Sequence, residues 1–139
     1  MGVAHFLRPT NLSGLDLSGP LGGVTRMVME LRVETRSSGE HAVVTPVGEV
    51  DLSNVGRLRD VLNELYLHTG TQVVVDLDQV TFIDSAGLGA LIGARRRAYA
   101  VNGTFTLVCT QERILRVLAI TRLDRVFEIV DSHPAVEDR

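Results

Sequence analysis

Val73-Val74-Val75-Asp76-Leu77-Asp78-Gln79-Val80-Thr81-Phe82-Ile83-Asp84-Ser85-Ala86-Gly87-Leu88-Gly89 passes from an unbroken β-branched stretch, through an acidic turn, to the start of a helix. Three consecutive valines do not alternate with polar residues. They fit a strand buried on both faces, and so a parallel strand inside a sheet. Val80-Thr81-Phe82-Ile83 follows, and then Ser85 stands where an N-cap belongs, its hydroxyl able to accept from the amides of residues 87 and 88. Gly87 and Gly89 lack a Cβ, so another backbone or a ligand can approach closely. The helix is predicted from about Ser85 to Val101, with a stop at Asn102-Gly103. Ala90, Gly93 and Ala94 keep part of it slim enough to lie close on a sheet.

Upstream, Met29-Glu30-Leu31-Arg32-Val33-Glu34 alternates apolar and polar, as a half-buried strand does. Ser37-Ser38-Gly39-Glu40 reads as a turn and Ala42-Val43-Val44-Thr45-Pro46-Val47 as a second strand, giving an antiparallel hairpin. Pro46 has no N–H for a ladder and is expected at an edge or a strand end. Gly48-Glu49-Val50-Asp51 is expected to lead out of the sheet. A helix follows from about Ser53 to His68, with Val55, Leu58, Leu62 and Leu65 on one face. Ser53 or Asn54 is its expected cap and Gly70 its terminator. Downstream come a strand over Thr104–Cys109, a helix over Gln111–Ile120 with Ile114, Val117 and Leu118 inward, and a short strand over Val126–Val130. The order β-β-α-β-α-β-α-β predicts an α/β fold: a mixed, mostly parallel open sheet with an N-terminal hairpin and helices packed against it.

The length of 139 residues suits one domain, drawn here as residues 27–139. Residues 1–26 hold two of the four prolines and no sustained periodicity, and read as a flexible N-terminal extension. The alternative reading is a docking tail using Phe6, Leu7, Leu12, Leu15 and Leu17.

Composition narrows the function. A net charge of −3 lacks the excess of Lys and Arg that nucleic-acid binding asks for. The run Arg95-Arg96-Arg97 reads as the solvated face of a helix. Cys109, the sole cysteine, cannot form an internal disulfide, fits a reducing cytoplasm, and sits in an apolar run as a small core residue. No stretch has the roughly 18 apolar residues of a membrane span, and no secretory signal is recognisable.

Enzyme patterns are missing as well. Ser85 is preceded by Ile83-Asp84, which is not the Gly-x-Ser-x-Gly elbow of a hydrolase. Gly87-Leu88-Gly89 is not a dinucleotide-binding loop, since residue 92 is Ile. His5, His41, His68 and His133 show no metal-ligand spacing and read as ordinary surface residues, and Asp76 and Asp78 as solvated turn residues. No catalytic residue, metal or cofactor is expected. What Ser85 does offer is a switch position, because a phosphate there adds about −1.5 to −2 charges and three acceptor oxygens.

The residue 73–89 stretch resembles the signature of the STAS family of anti-sigma factor antagonists. Gly48-Glu49-Val50-Asp51 resembles that family's other hallmark, a Gly-Glu-hydrophobic-Asp after the second strand. Cys109–Leu118 with Ile120-Thr121-Arg122-Leu123 is similar to its third helix and exit. The likeness covers about residues 29–133. It implies that Ser85 is phosphorylated by an anti-sigma factor that is also a serine kinase of the GHKL type, to which ATP belongs. It further implies that the unmodified chain binds that kinase and frees the sigma factor, and that a PP2C-type phosphatase reverses the modification. The implied partner face joins Glu49, Asp51, Ser53 and Asn54 to Asp84, Ser85, Ala86, Gly87 and Leu88. A cytoplasmic monomer or weak dimer, with no direct contact to nucleic acid or membrane, goes with this reading. The alternative within the family is an unphosphorylated binding or scaffold module of a sensor or lipid-transport complex. Residues 1–26 have no counterpart in the compact members of the family, and residues 131–139 offer barely a turn where the family usually has a final amphipathic helix.

Overall fold

The computed structural model describes residues 30–38, 41–65 and 70–133. The predicted extension, residues 1–26, lies outside them, as do residues 39–40 of the hairpin turn, the predicted last turn of the first helix and residues 134–139.

Among the described residues six strands form one sheet, in the order β1-β2-β3-β5-β6, with β4 also paired to β2. β1 (Arg32–Ser38) runs antiparallel to β2 (His41–Val50), and every other pairing is parallel. β3 (Gln72–Asp76) lies between β2 and β5 (Thr104–Val108), and Val73, Val74 and Val75 are all buried. That is the central parallel strand the three valines predict. β6 (Glu128–Val130) closes the far edge. Leu31 and Val33 are buried while Arg32 and Glu34 are exposed, so the predicted alternation holds, although the strand begins at Arg32 rather than Met29.

The second strand differs from its prediction. It continues to Val50, so Gly48-Glu49-Val50 stays in the sheet instead of leading out of it. β4 (Val80–Ile83) extends the ladder there, pairing Glu49 with Phe82 and Val50 with Ile83. Pro46 is neither at an edge nor at an end. It sits mid-strand opposite Val33, in the gap where the β3 ladder has ended at Val44 and the β4 ladder has yet to start at Gly48. A missing N–H is tolerated in that gap. Gly48 has φ +117° at the register shift of the β2–β4 ladder, a conformation open to a residue without Cβ.

α1 (Val55–Leu65) buries Val55, Leu58 and Leu62; α2 (Ser85–Ala100) buries Gly87, Leu88, Ala90, Leu91, Ala94 and Ala98; α3 (Glu112–Ile120) buries Ile114 and Leu118. Apart from Gly87, these residues join one apolar cluster with Val44, Val50, Val73, Val75, Phe105 and Leu107 of the sheet and with Leu77 just beyond β3. Each fully buried large aliphatic or aromatic residue contributes about 1.5–3 kcal/mol. The rings of Phe105 and Phe127 stack at a tilt, 5.8 Å apart, where a short 3₁₀ turn (Leu123–Arg125) delivers the chain to β6. Cys109 is buried in the same cluster, and burial pushes its thiol pKa up from 9.0, which suits a core residue and not a nucleophile. Arg96 and Arg97 are exposed on α2, and Arg95 lies over the Tyr99 ring at 4.6 Å.

A separate small cluster forms on the opposite face of the sheet from Val43, Val74 and Val108, with Val130 against it. No helix among the described residues contributes to it.

Candidate functional site

β2 and β4 end side by side, with Val50 beside Ile83, and the amide of Asp84 donates to the carbonyl of Val50 at 3.2 Å. The 51–54 loop and the start of α2 are therefore neighbours by topology. Asp84 fuses them. Its Oδ1 accepts from the amides of Ala86 at 2.9 Å and Gly87 at 3.1 Å, and its Oδ2 accepts from the amide of Leu52 at 3.1 Å. One carboxylate thus caps α2 and anchors the loop.

This corrects the sequence reading of Ser85. The N-cap is Asp84, in extended backbone geometry, and Ser85 is the first helical residue. Asp and Ser cap equally well, so the pair Asp84-Ser85 left the register open by one residue. Ser85 is exposed, and its hydroxyl has no hydrogen-bond partner among the described residues.

The loop is tied by its own polar side chains. Asn54 Oδ1 accepts from the amide of Asp51 at 2.9 Å, while Asn54 Nδ2 donates to the Glu49 carbonyl at 2.9 Å. Asp51 Oδ1 accepts from the Ser53 amide at 3.0 Å and the Ser53 hydroxyl at 2.6 Å. Ser53 and Asn54 therefore turn back onto the loop instead of capping α1, which opens with the amide of Val55 on the Asp51 carbonyl. At the tip Leu52 is 77% exposed. Sequence reasoning passed over it, although a leucine alone among Asp51, Ser53 and Asn54 was a usable signal.

The remaining expected contact residues divide. Glu49 is exposed and Ala86 half-buried. Gly87 and Leu88 are buried within the domain. A Cβ on Gly87 would lie 2.6 Å from Ile83 Cγ1 and 2.9 Å from Val50 Cγ1, so its bareness lets α2 sit down on the ends of β2 and β4. Among the described residues a Cβ on Gly89 would meet nothing within 4 Å, so none of them makes the close approach expected there.

Two other readings need correction. Asp76 and Asp78 are not merely solvated. Asp76 Oδ1 accepts from the Asp78 amide at 2.9 Å, and Asp78 Oδ1 from the Thr110 amide at 2.6 Å. Gln111 Nε2 reaches the carbonyls of Asp78 and Val80 at 3.0 and 2.6 Å, which pins the turn before β4. His133 is not an ordinary surface residue either, since its Nε2 meets Asp76 Oδ2 at 2.6 Å. Among the described residues no group of three or more His, Cys, Asp or Glu is arranged to hold a metal, and no helix is long and apolar enough to cross a membrane.

Comparison with known proteins agrees with this architecture. A protein of Thermotoga neapolitana, named as a candidate anti-sigma factor antagonist, is 32% identical over 91 residues, covering 65% of this chain and 80% of its own. The anti-sigma-B factor antagonist of Bacillus subtilis is 28% identical over 101 residues, 73% of this chain and 92% of that one. The crystal structure of a candidate anti-sigma factor antagonist from Thermotoga maritima superposes with a TM-score of 0.66 at 26% identity, over 72% of this chain and 86% of its own. The family model described as STAS domain matches residues 32–136. With the mixed sheet, the three helices and that match along most of its length, the chain belongs to the STAS domain family.

Proposed function

We propose that the chain is an anti-sigma factor antagonist whose binding is switched at Ser85. The observation that carries this reading is the division of labour between two adjacent residues. Asp84 does the structural work at the start of α2, and Ser85 is left exposed with a hydroxyl that no described residue engages. A kinase can take such a hydroxyl without unfolding anything.

The partner is an anti-sigma factor that is also a serine kinase of the GHKL type. It docks on the edge formed by Glu49 at the end of β2, the 51–54 loop with Leu52 at its tip, and the exposed start of α2. Phosphate on Ser85 brings about two negative charges to that edge. The amides of Ala86 and Gly87, which could have received it, already serve Asp84. The new charge therefore faces outward beside an existing carboxylate, where a docked partner would have to desolvate it. A PP2C-type phosphatase restores the binding form. The chain acts by binding, in the cytoplasm, as a monomer or weak dimer, and it is not itself an enzyme. Residues 27–139 are the working domain and residues 1–26 an extension to it.

The test pairs calorimetry with mass spectrometry. Incubation with the cognate anti-sigma kinase and ATP should add one phosphate, at Ser85, and abolish binding. Ser85→Ala should bind without being modified. Ser85→Asp should bind at least about tenfold more weakly, or about 1.4 kcal/mol. A phosphorylated chain that binds as tightly as the unmodified one would sink the proposal. A chain that binds but is never modified would instead favour the scaffold reading.

A further inference from the structure

Large apolar side chains stand exposed at Leu52, Phe82, Tyr99, Ile120 and Val126 among the described residues. The topology sorts them between the two ends of the sheet. β2 and β4 run parallel, and Leu52, Phe82 and Ser85 lie at their carboxyl ends. α2 leads back from that end, so Tyr99 in its last turn is about 21 Å from Ser85 along the helix, with Arg95 over its ring. Ile120 ends α3 and Val126 precedes β6, which places both toward the amino ends of the strands. Leu52 and Phe82 are therefore left together beside Ser85. In the ladder Val50 and Ile83 are buried in the core, while Glu49 and Phe82, paired about 4.8 Å apart, are both exposed. The amide of Leu52 is held at 3.1 Å by Oδ2 of Asp84, which follows closely on Phe82. The two apolar side chains thus flank one short edge. That edge is acidic: residues 48–54 and 80–89 contain Glu49, Asp51 and Asp84 and no Lys, Arg or His.

We propose that Leu52 and Phe82 are paired apolar anchors by which the chain holds its anti-sigma factor, and that this partner offers an apolar recess bordered by Arg or Lys on the Glu49–Asp51 side. This rests on the reading of the chain as an anti-sigma factor antagonist. Binding energy concentrates in a few central, well-packed groups, and carboxylates at the rim of such a contact select a partner of opposite charge. The cations belong beside Glu49 and Asp51, not at Ser85. Ser85 has to meet the nucleotide of the kinase, whose phosphates are negative, so the modified serine is repelled there while the anchors are unchanged. Phe82 extends the docking edge from the loop and the helix start onto β4.

Calorimetry with the full chain and its anti-sigma kinase reads the anchors directly. Leu52→Ala and Phe82→Ala should each weaken binding at least about tenfold. Ile120→Ala, 73% exposed at the other end of the molecule, should stay within about twofold of the parent. Anchor variants that bind like the parent would overturn the proposal, and the switch would survive if phosphate on Ser85 still abolished binding. Weakened anchor variants of a chain indifferent to phosphate would uphold the anchors and sink the switch. A parent chain that binds no anti-sigma factor would sink both. Phe82 is only 47% exposed, so its truncation also touches packing. A second measurement therefore uses the unaltered chain. The NMR signals of the Leu52 methyls and the Phe82 ring should shift when the kinase is added, and those of the Ile120 methyls should not; the reverse pattern would place the partner elsewhere. Glu49→Gln should slow association at least about threefold at low salt and flatten its dependence on ionic strength. An unchanged rate would remove the basic border. A dimer of the chain alone that Leu52→Ala dissociates would show that a second copy fills this edge instead of an anti-sigma factor.

Discussion

At the scale of the residue, the informative pair is Asp84 and Ser85. The sequence made the acidic turn, the serine and the helix start legible, but not which of the two residues caps. That depended on the Leu52 amide, 32 positions upstream, which engages Asp84 Oδ2 and so fixes the carboxylate in place. Local propensity cannot see such a partner. The consequence is measurable. Ser85→Ala should change stability by no more than about 0.5 kcal/mol, as at an ordinary surface position. Asp84→Ala should cost at least about 0.5–2 kcal/mol, the usual loss for a cap, with a further loss from the released Leu52 amide. Chemical denaturation of both variants checks the order; equal losses would return the cap to Ser85. Cys109 gives a second check at this scale. With its thiol buried and its pKa raised, it should resist alkylation by iodoacetamide at neutral pH until denaturant is added.

At the scale of the element, α1 and α3 were legible from their apolar spacing, α2 from its start and stop signals, and the central strand from its unbroken valines. β4 was the weak point. Thr81 and Phe82 are both exposed in a four-residue strand, so neither a two-residue alternation nor a continuous buried run marks it. Its existence depends on pairing with an extension of β2 beyond Pro46, and a proline ordinarily argues that a strand is ending. The same junction makes Gly87 sensitive. Gly87→Ala should destabilise the domain by about 1–3 kcal/mol through overpacking against Ile83 and Val50. Gly89→Ala, with open space at its Cβ, should leave stability unchanged or slightly raised. Thermal melts of the two alanine variants separate these expectations, and a Gly87→Ala protein as stable as the parent would refute the packing account.

At the scale of the molecule, the α/β class and the mixed sheet followed from the order of elements, while the far face of the sheet did not. Alternation predicts which strand residues point together, but not what lies over them, and the Asp76–His133 contact joins positions 57 apart. The first 26 residues lack a periodic apolar face, so removing them should leave Tm within about 2 °C. A larger fall in calorimetry would mean that they pack into the core or into an oligomer.

The anchored loop has one more consequence. Leu52 combines a side chain open to solvent with a backbone amide held by Asp84, so its exposure and its order are decoupled. Its amide should exchange with deuterium far more slowly than its position at a loop tip suggests. A molecule docking there meets an apolar knob already fixed in orientation, and the entropy of ordering that loop is spent during folding rather than at the encounter.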